Sequence, residues 1–541
     1  MHRLFTRLGL WLGAIVLCIG LLLYQAFYPH AIATKTINLH HDRDLVLVGR
    51  LYLPNQTAPY PTMILWHGVS SSKEMVEPLA LELARHEIAA VTFDSGGFGE
   101  SYPRAFSTEE NLQDAKLVFS YVKQHPELFD RARLGMGGHS MGAATAIAFA
   151  TETVDAPEIS VTLDLGMSAD VSPNQPANLF MGIGLYEEFH TPDAMREMLQ
   201  QSTGESAKEF QLKGNFSKGS ARKLVISSTS DHLIEPFDPT LIQEAVVWSV
   251  QAFGLVEATN HLAIPLVMPY VMWAWFFIFI GSVMTVSYIL RDLQFLRGKL
   301  RLVSVGIIAI ASILLGLGMN GQIPTRLAIN LILLAGAIVP ISTYAIRYPQ
   351  KLTSFFRQCG LYVSAILVAY TIVALAIRWN QLLTHPMYLL GLPQFLLQIP
   401  VALIYSRFQE FSAAMFPVYS NGLVPSWQLT TIFLPELIYP SIFLGIGTKV
   451  GQWLVKWLRQ PLQIVRVECP SKKSMQLLGG LSVVLVLVLI QQAKMGTISM
   501  EHAIATMRLL SQMLLFPAAI LIFILRSSQF QKLEKYCKSP S

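Results

Sequence analysis

The 541-residue chain is 52% hydrophobic and only 14% charged, against roughly 25% in soluble domains, which excludes a wholly soluble protein. Its formal net charge of +5 comes from Lys and Arg clustered between apolar stretches rather than on one basic face, so it points to membrane topology and not to nucleic-acid binding. The four cysteines, Cys18, Cys359, Cys469 and Cys537, all fall outside 35–254, leaving no disulfide framework or CxxC metal site there.

From Leu8 to Tyr28 no residue is charged, and Arg3 and Arg7 precede the run. It is long enough to cross a hydrocarbon core of roughly 30 Å as a helix, so residues 1–30 read as an N-terminal transmembrane anchor. Ala31-Ile32-Ala33 resembles a signal-peptidase site, and a cleaved signal peptide is the alternative. Under both readings the next domain is exported.

Between 35 and 254, short β-branched or apolar runs alternate with amphipathic stretches, the pattern of strands joined by crossover helices in an α/β protein. Strands are expected at 35–40, 45–53, 61–66, 88–93, 132–137, 158–165, 177–184 and 223–229. Helices are expected at Glu74–His86, Glu109–Gln124, Met141–Thr151 and Pro239–Gly254.

Gly138-His139-Ser140-Met141-Gly142 follows a strand and opens an Ala-rich helix. Chance alone would place a GxSxG in roughly one chain in five of this length, so the strand–helix context carries the signal. Upstream, Thr62–Val69 ends in His67-Gly68-Val69, and Asp94-Ser95-Gly96-Gly97-Phe98-Gly99-Glu100-Ser101 follows the fourth strand. Together these segments resemble the α/β-hydrolase superfamily, in its esterase and prolyl-oligopeptidase-like branch. The resemblance implies an eight-stranded, mostly parallel sheet with Ser140 as nucleophile. It also implies backbone N–H groups of Val69 and Met141 as the oxyanion hole, structural roles for His67 and Asp94, and no metal or organic cofactor.

The implied order of Ser, then acid, then His leaves two assignments open. In the favoured one, Ala177–Gly184 is the seventh strand and leads to Glu187, while Arg222–Thr229 is the eighth and delivers His232. In the other, Asp231 is the acid and His261 the base, which requires a further strand where only Leu255-Val256-Glu257 is offered. Glu188 is an adjacent alternative to Glu187. The linker Met167–Gln175 is too short for a large lid, which argues for an open site on that side.

Residues 262–526 read as a multi-pass transmembrane domain, with apolar runs near 266–290, 302–319, 327–346, 359–377, 430–448, 475–491 and 506–525. The basic segments 291–301, 347–357 and 449–473 and the tail 527–541 should be cytoplasmic. Parity then makes the proline-rich 387–405 a re-entrant or interfacial stretch, giving eight spans with both termini inside. Glu436 is the acidic residue placed within a span, and it supports no transport claim.

The expected function is a membrane-tethered, extracytoplasmic serine hydrolase of small-molecule or lipid esters, in contact with the lipid bilayer and no nucleic acid. A prolyl-oligopeptidase-like peptidase is the alternative enzyme. A sensor or transporter with a hydrolase-fold binding module is the alternative outside enzymes. Oligomeric state is not legible.

Overall fold

The computed structural model describes residues 2–42, 45–69, 71–102, 104, 107–155, 158–205, 208–255, 264–292, 352–415 and 516–538. It divides into two units, Met1–Val339 with Ile377–Pro425 and Pro340–Ala376 with Ser426–Ser541.

The first unit opens with helix α1 (His2–Phe27), followed by strands β1 (Ala33–Asp42), β2 (Leu45–Leu53) and β3 (Tyr60–Trp66). Helix α2 (Glu77–Arg85), strand β4 (Ala89–Phe93), helix α3 (Thr108–Gln124), strand β5 (Phe129–His139) and helix α4 (Met141–Glu152) come next. Strands β6 (Ile159–Leu165) and β7 (Leu179–Gly184), helix α5 (Pro192–Thr203), strand β8 (Arg222–Ser227) and helix α6 (Pro239–Ala252) complete the hydrolase-like part. The sheet order is β1-β2-β4-β3-β5-β6-β7-β8. The β1–β2 and β2–β4 pairs are antiparallel and the other pairs parallel. This is the α/β-hydrolase fold.

Helices cover both faces of the parallel strands, which explains why β3, β4 and β7 are buried at every residue and read as continuous apolar runs. Trp66, Phe93, Phe119 and Phe149 pack in one core cluster, each contributing about 1.5–3 kcal/mol by removal from water. Capping fixes where helices begin. The Ser107 side chain accepts from Glu110 N at the start of α3, and Asp238 accepts from Thr240 N and Leu241 N at the start of α6.

Helix α7 (Met268–Asp292) packs along α1 in the opposite direction. The pairing runs from Gly9 beside Tyr288, through Gly13 beside Thr285 and Leu17 beside Gly281, to Gly20 beside Ile278. A Cβ on Gly281 would lie 2.3 Å from Leu17 N, so glycine there is what lets the backbones approach. At the end nearer the sheet, Tyr24 meets Trp275 edge-on and Phe27 stacks on Tyr270.

Helix α8 (Leu352–Ile377) leads into α9 (Trp379–Thr384), a 3₁₀ turn at Pro386–Gly391 and α10 (Leu392–Met415), a continuous helix with Pro400 inside it. In the second unit α8 packs with α11 (Phe516–Arg526) and α12 (Ser528–Lys538) around Tyr362, Leu521, Leu525 and Phe530. Among the described residues, three helical stretches are long and apolar enough to cross a membrane: Leu8–Phe27, Met268–Ile289 and Phe356–Ile377. The expected spans at 302–319, 327–346, 430–448 and 475–491, with Glu436, lie outside the described residues, as does the first part of 506–525.

Candidate active site

Strand β5 ends at His139 and α4 begins at Met141, so Ser140 alone makes the turn between them. Its backbone sits at φ 53°, ψ −116°, a region that costs of order 1–3 kcal/mol for a non-glycine residue. The strain is carried by the serine and not by its neighbours. The flanking glycines supply space instead, because a Cβ on Gly142 would lie 2.2 Å from Trp66 O and one on Gly138 2.4 Å from the same oxygen. A bond from Ser140 N to Leu165 O at 2.8 Å helps fix the turn.

His232 reaches Ser140 from the loop after β8, with Nε2 3.1 Å from Oγ. Its Nδ1 touches Glu187 Oε1, which comes from the loop after β7, although the approach is off the direction a ring N–H would take. Catalytic hydrogen bonds of this kind commonly tighten only when substrate is bound. Glu187 Oε2 accepts from His190 N at 2.6 Å, which anchors the carboxylate.

The other candidates separate from this group. Glu188 accepts from the backbone N of His232 at 3.3 Å and so holds the loop instead of the ring. Asp231 accepts from Ile234 N at 3.0 Å, within its own turn. His261 lies outside the described residues.

Two site residues had not been singled out. Glu235 lies fully buried, with Oε2 3.1 Å from His139 Nε2 and 3.6 Å from His232 Nδ1, while Oε1 accepts from Gly184 N at 2.7 Å. The His139 ring lies 4.6 Å from that of His232. The His232-x-x-Glu235 spacing was the available signal, since one helical turn brings such residues to one side. His139, His232 and Glu235 bring ligand atoms within 4.8 Å of one another. Hydrogen bonding and contacts with Ser140 and Glu187 already account for that convergence.

Burial dominates the electrostatics. It drives the His232 imidazole down to about 3 and His139 well below its ordinary value. It pushes the Glu187 carboxyl up to about 8, against the opposing pull of His190 and Arg378, and it raises Glu188 and Glu235 well above the usual carboxylate range. His232 is therefore neutral at physiological pH, as a proton acceptor must be.

Val69 lies in the turn after β3, and Met141 N–H is at the first position of α4, where no intrahelical acceptor exists. Buried His67 braces this loop by accepting from Ser95 N at 3.0 Å and bonding Gly68 O at 2.7 Å. Asp94 ties the same loop down, accepting from Lys73 N at 2.7 Å, Lys73 Nζ at 2.6 Å and Glu100 N at 3.0 Å.

Cover near the site comes from an unexpected part of the chain. The β6–β7 linker is short, but α9, the 3₁₀ turn and α10 lie against the loops at the C-terminal ends of the strands. Phe395 stacks on Tyr186 at 4.5 Å, Gly391 sits against Ser228, and Tyr405 meets Phe237 edge-on at 6.0 Å. From sequence, 387–405 reads as a re-entrant or interfacial stretch of the membrane domain, with no contact to the hydrolase loops expected.

The serine aminopeptidase (S33) hydrolase family matches residues 57–163, a stretch that includes Ser140 but stops before Glu187 and His232. No curated protein matches the chain. Among solved structures, the chain is similar to an esterase of Pyrococcus furiosus at 17% identity, covering 41% of this chain and 93% of that one with a TM-score of 0.33. A lidless α/β serine hydrolase from Xanthomonas campestris shows 18% identity, coverage of 43% and 99%, and a TM-score of 0.32. An α/β serine hydrolase homologue from Coxiella burnetii shows 15%, 40%, 96% and 0.31. The sheet order and the Ser140 turn define an α/β-hydrolase fold, within which residues 57–163 are similar to the serine aminopeptidase (S33) hydrolases.

Proposed function

We propose that this chain is a membrane-tethered serine hydrolase that cleaves carboxylic esters through an acyl-enzyme, with its hydrolase domain on the extracytoplasmic side. The observation that carries the chemistry is the convergence of Ser140, His232 and Glu187 from three separate loops.

In this reading, Ser140 Oγ attacks the ester carbonyl carbon as His232 Nε2 takes its proton, and Glu187 stabilises the imidazolium. The backbone N–H groups of Val69 and Met141 hold the oxyanion. Protonated His232 then gives its proton to the departing alcohol, leaving the acyl group on Ser140. A water, deprotonated by His232, attacks the acyl carbon, and Ser140 regains the proton as the carboxylic acid leaves.

The membrane reading rests on the three apolar helices and on direction. Opposed α1 and α7 fit a chain that leaves the cytoplasm along α1 and returns along α7. The expected topology brings α8 out on the hydrolase side, and Arg378, the next residue, hydrogen-bonds the hydrolase loops. With the sheet tied between α1 and α7, the domain sits at the bilayer, which favours lipophilic esters.

A peptidase is the second reading, favoured by the name of the matching family. The two separate on a panel of matched ester and amide substrates offered to the purified full chain. Ester turnover exceeding amide turnover, both lost in Ser140→Ala, supports the esterase. Preferential cleavage of N-terminal peptide bonds would replace it with the peptidase, and turnover of neither would favour a binding module.

A further inference from the structure

Four carboxyl groups crowd the loops behind His232. Glu187, Glu188, Asp231 and Glu235 are all buried, and burying like charges together is unfavourable without a compensating cation. His232 and His190 face Glu187 from within the domain. The permanent positive charge near Glu187 and Glu188 comes from elsewhere in the chain. Arg378 follows directly on α8, is only 6% exposed, and donates from Nε to Leu185 O at 2.6 Å and from Nη2 to Glu187 O.

We propose that Arg378 is a positioning residue for catalysis, fixing the backbone of the Glu187 loop through two carbonyl bonds and supplying the positive charge that this acidic pocket lacks. This deepens the proposed function and rests on the Ser140–His232–Glu187 reading.

The geometry favours arginine at this place. Two carbonyls two residues apart, across the Leu185–Glu187 turn, are engaged by different nitrogens of one planar fork, which a lysine cannot reproduce. The same turn is held on its other side by Leu185 N to Ser227 O at 2.7 Å and Tyr186 N to Ser230 O at 3.0 Å. Arg378 therefore completes the bracing of a loop whose side chain orients His232. Its charge also opposes the rise that burial imposes on the Glu187 carboxyl, as does His190.

The neighbouring contacts of this segment differ in kind. Gln381 bonds Asp193 at 2.9 Å, on the surface and away from the acid loop. Losing that bond loosens the segment without touching the Glu187 loop, which makes it a control for docking alone.

The test uses the full chain, with a chromogenic short-chain ester assayed across the pH profile. Arg378→Met is expected to lower kcat by about 10- to 100-fold while changing KM less than about threefold. It should also move the acid limb of the profile about one unit higher, because the carboxyl loses an opposing charge. Arg378→Lys should restore most of the pH shift but only part of kcat, and Gln381→Ala should resemble the parent. The proposal is overturned if Arg378→Met keeps the parental kcat and profile, or if Gln381→Ala reproduces its loss. Should Arg378→Met fail to accumulate in membranes, Arg378→Lys decides, since parental kcat in that variant also overturns it. Ser140→Ala in the same assay keeps the two failures apart. If it is inactive while Arg378→Met is normal, only this inference falls, whereas an active Ser140→Ala removes the proposed function itself.

Discussion

At the scale of single residues, the site depends on a conflict between burial and charge. His232 and Glu187 are each pushed toward their neutral forms, whereas the proposed mechanism calls for an ionised Glu187 beside an imidazolium on His232. A carboxyl raised to about 8 is protonated below that pH and ionised above it. Accordingly kcat/KM should climb as pH rises through this range, and a profile that falls there in steady-state assays would contradict the role of Glu187. Glu187→Gln should lower kcat by an intermediate factor of about 10²–10⁴, leaving the oxyanion donors in place, whereas Glu188→Gln should cost far less because the Glu188 carboxylate accepts from the His232 backbone N and does not bond its ring. Gly142→Ala belongs to the same scale. With its new Cβ 2.2 Å from Trp66 O, it should destabilise the fold by about 2 kcal/mol or more, read as a lowered melting temperature alongside lost activity.

At the scale of elements, legibility followed the source of each signal. Strands β3 and β6 stand within about a residue of their expected ends because buried parallel strands leave apolar runs bounded by turn residues. Pro239 after Asp238 marked the start of α6 through capping chemistry that is local in sequence. The turn around Ser140 was legible as a strand-to-helix junction, but its physics was not. The structure places the positive φ on the serine and uses the two flanking glycines for clearance from Trp66 O. Helix α5 was missed because the polar Gln200–Gly204 stretch and the acidic residues around it masked a modest apolar face. His139 and Arg378 were not legible as partners of these loops, since Glu235 and Leu185 lie 96 and 193 positions away along the chain, whereas Glu235 left only its three-residue spacing from His232 as a signal. The α1–α7 pairing makes its own prediction. Gly281→Val should weaken this pairing, because its Cβ would lie 2.3 Å from Leu17 N, whereas Gly360→Val, with open space at its Cβ, should not. Equal melting temperatures for the two variants in detergent would contradict the register seen between the two helices.

At the scale of the whole molecule, a hydrolase fold stands between apolar helices, and a segment that follows the third of them returns to brace its acid loop. Under the proposed membrane tethering, the hydrolase domain and Arg378 lie on one side of the bilayer. Accessibility reporters near Gly204 and near Thr384 should therefore both be extracytoplasmic, while reporters after Arg301, after Lys473 and at the C-terminus should be cytoplasmic. Opposite sides for Gly204 and Thr384 would be incompatible with the bonds between Arg378 and the loop at Leu185–Glu187. The account as a whole turns on Ser140 being an activated nucleophile, and covalent labelling of the full chain in membranes by a fluorophosphonate probe measures that directly. The account predicts labelling of the parent at Ser140, none in Ser140→Ala, and strongly slowed labelling in His232→Ala. Labelling that persists in Ser140→Ala, or an intact parent that the probe does not touch, would contradict it.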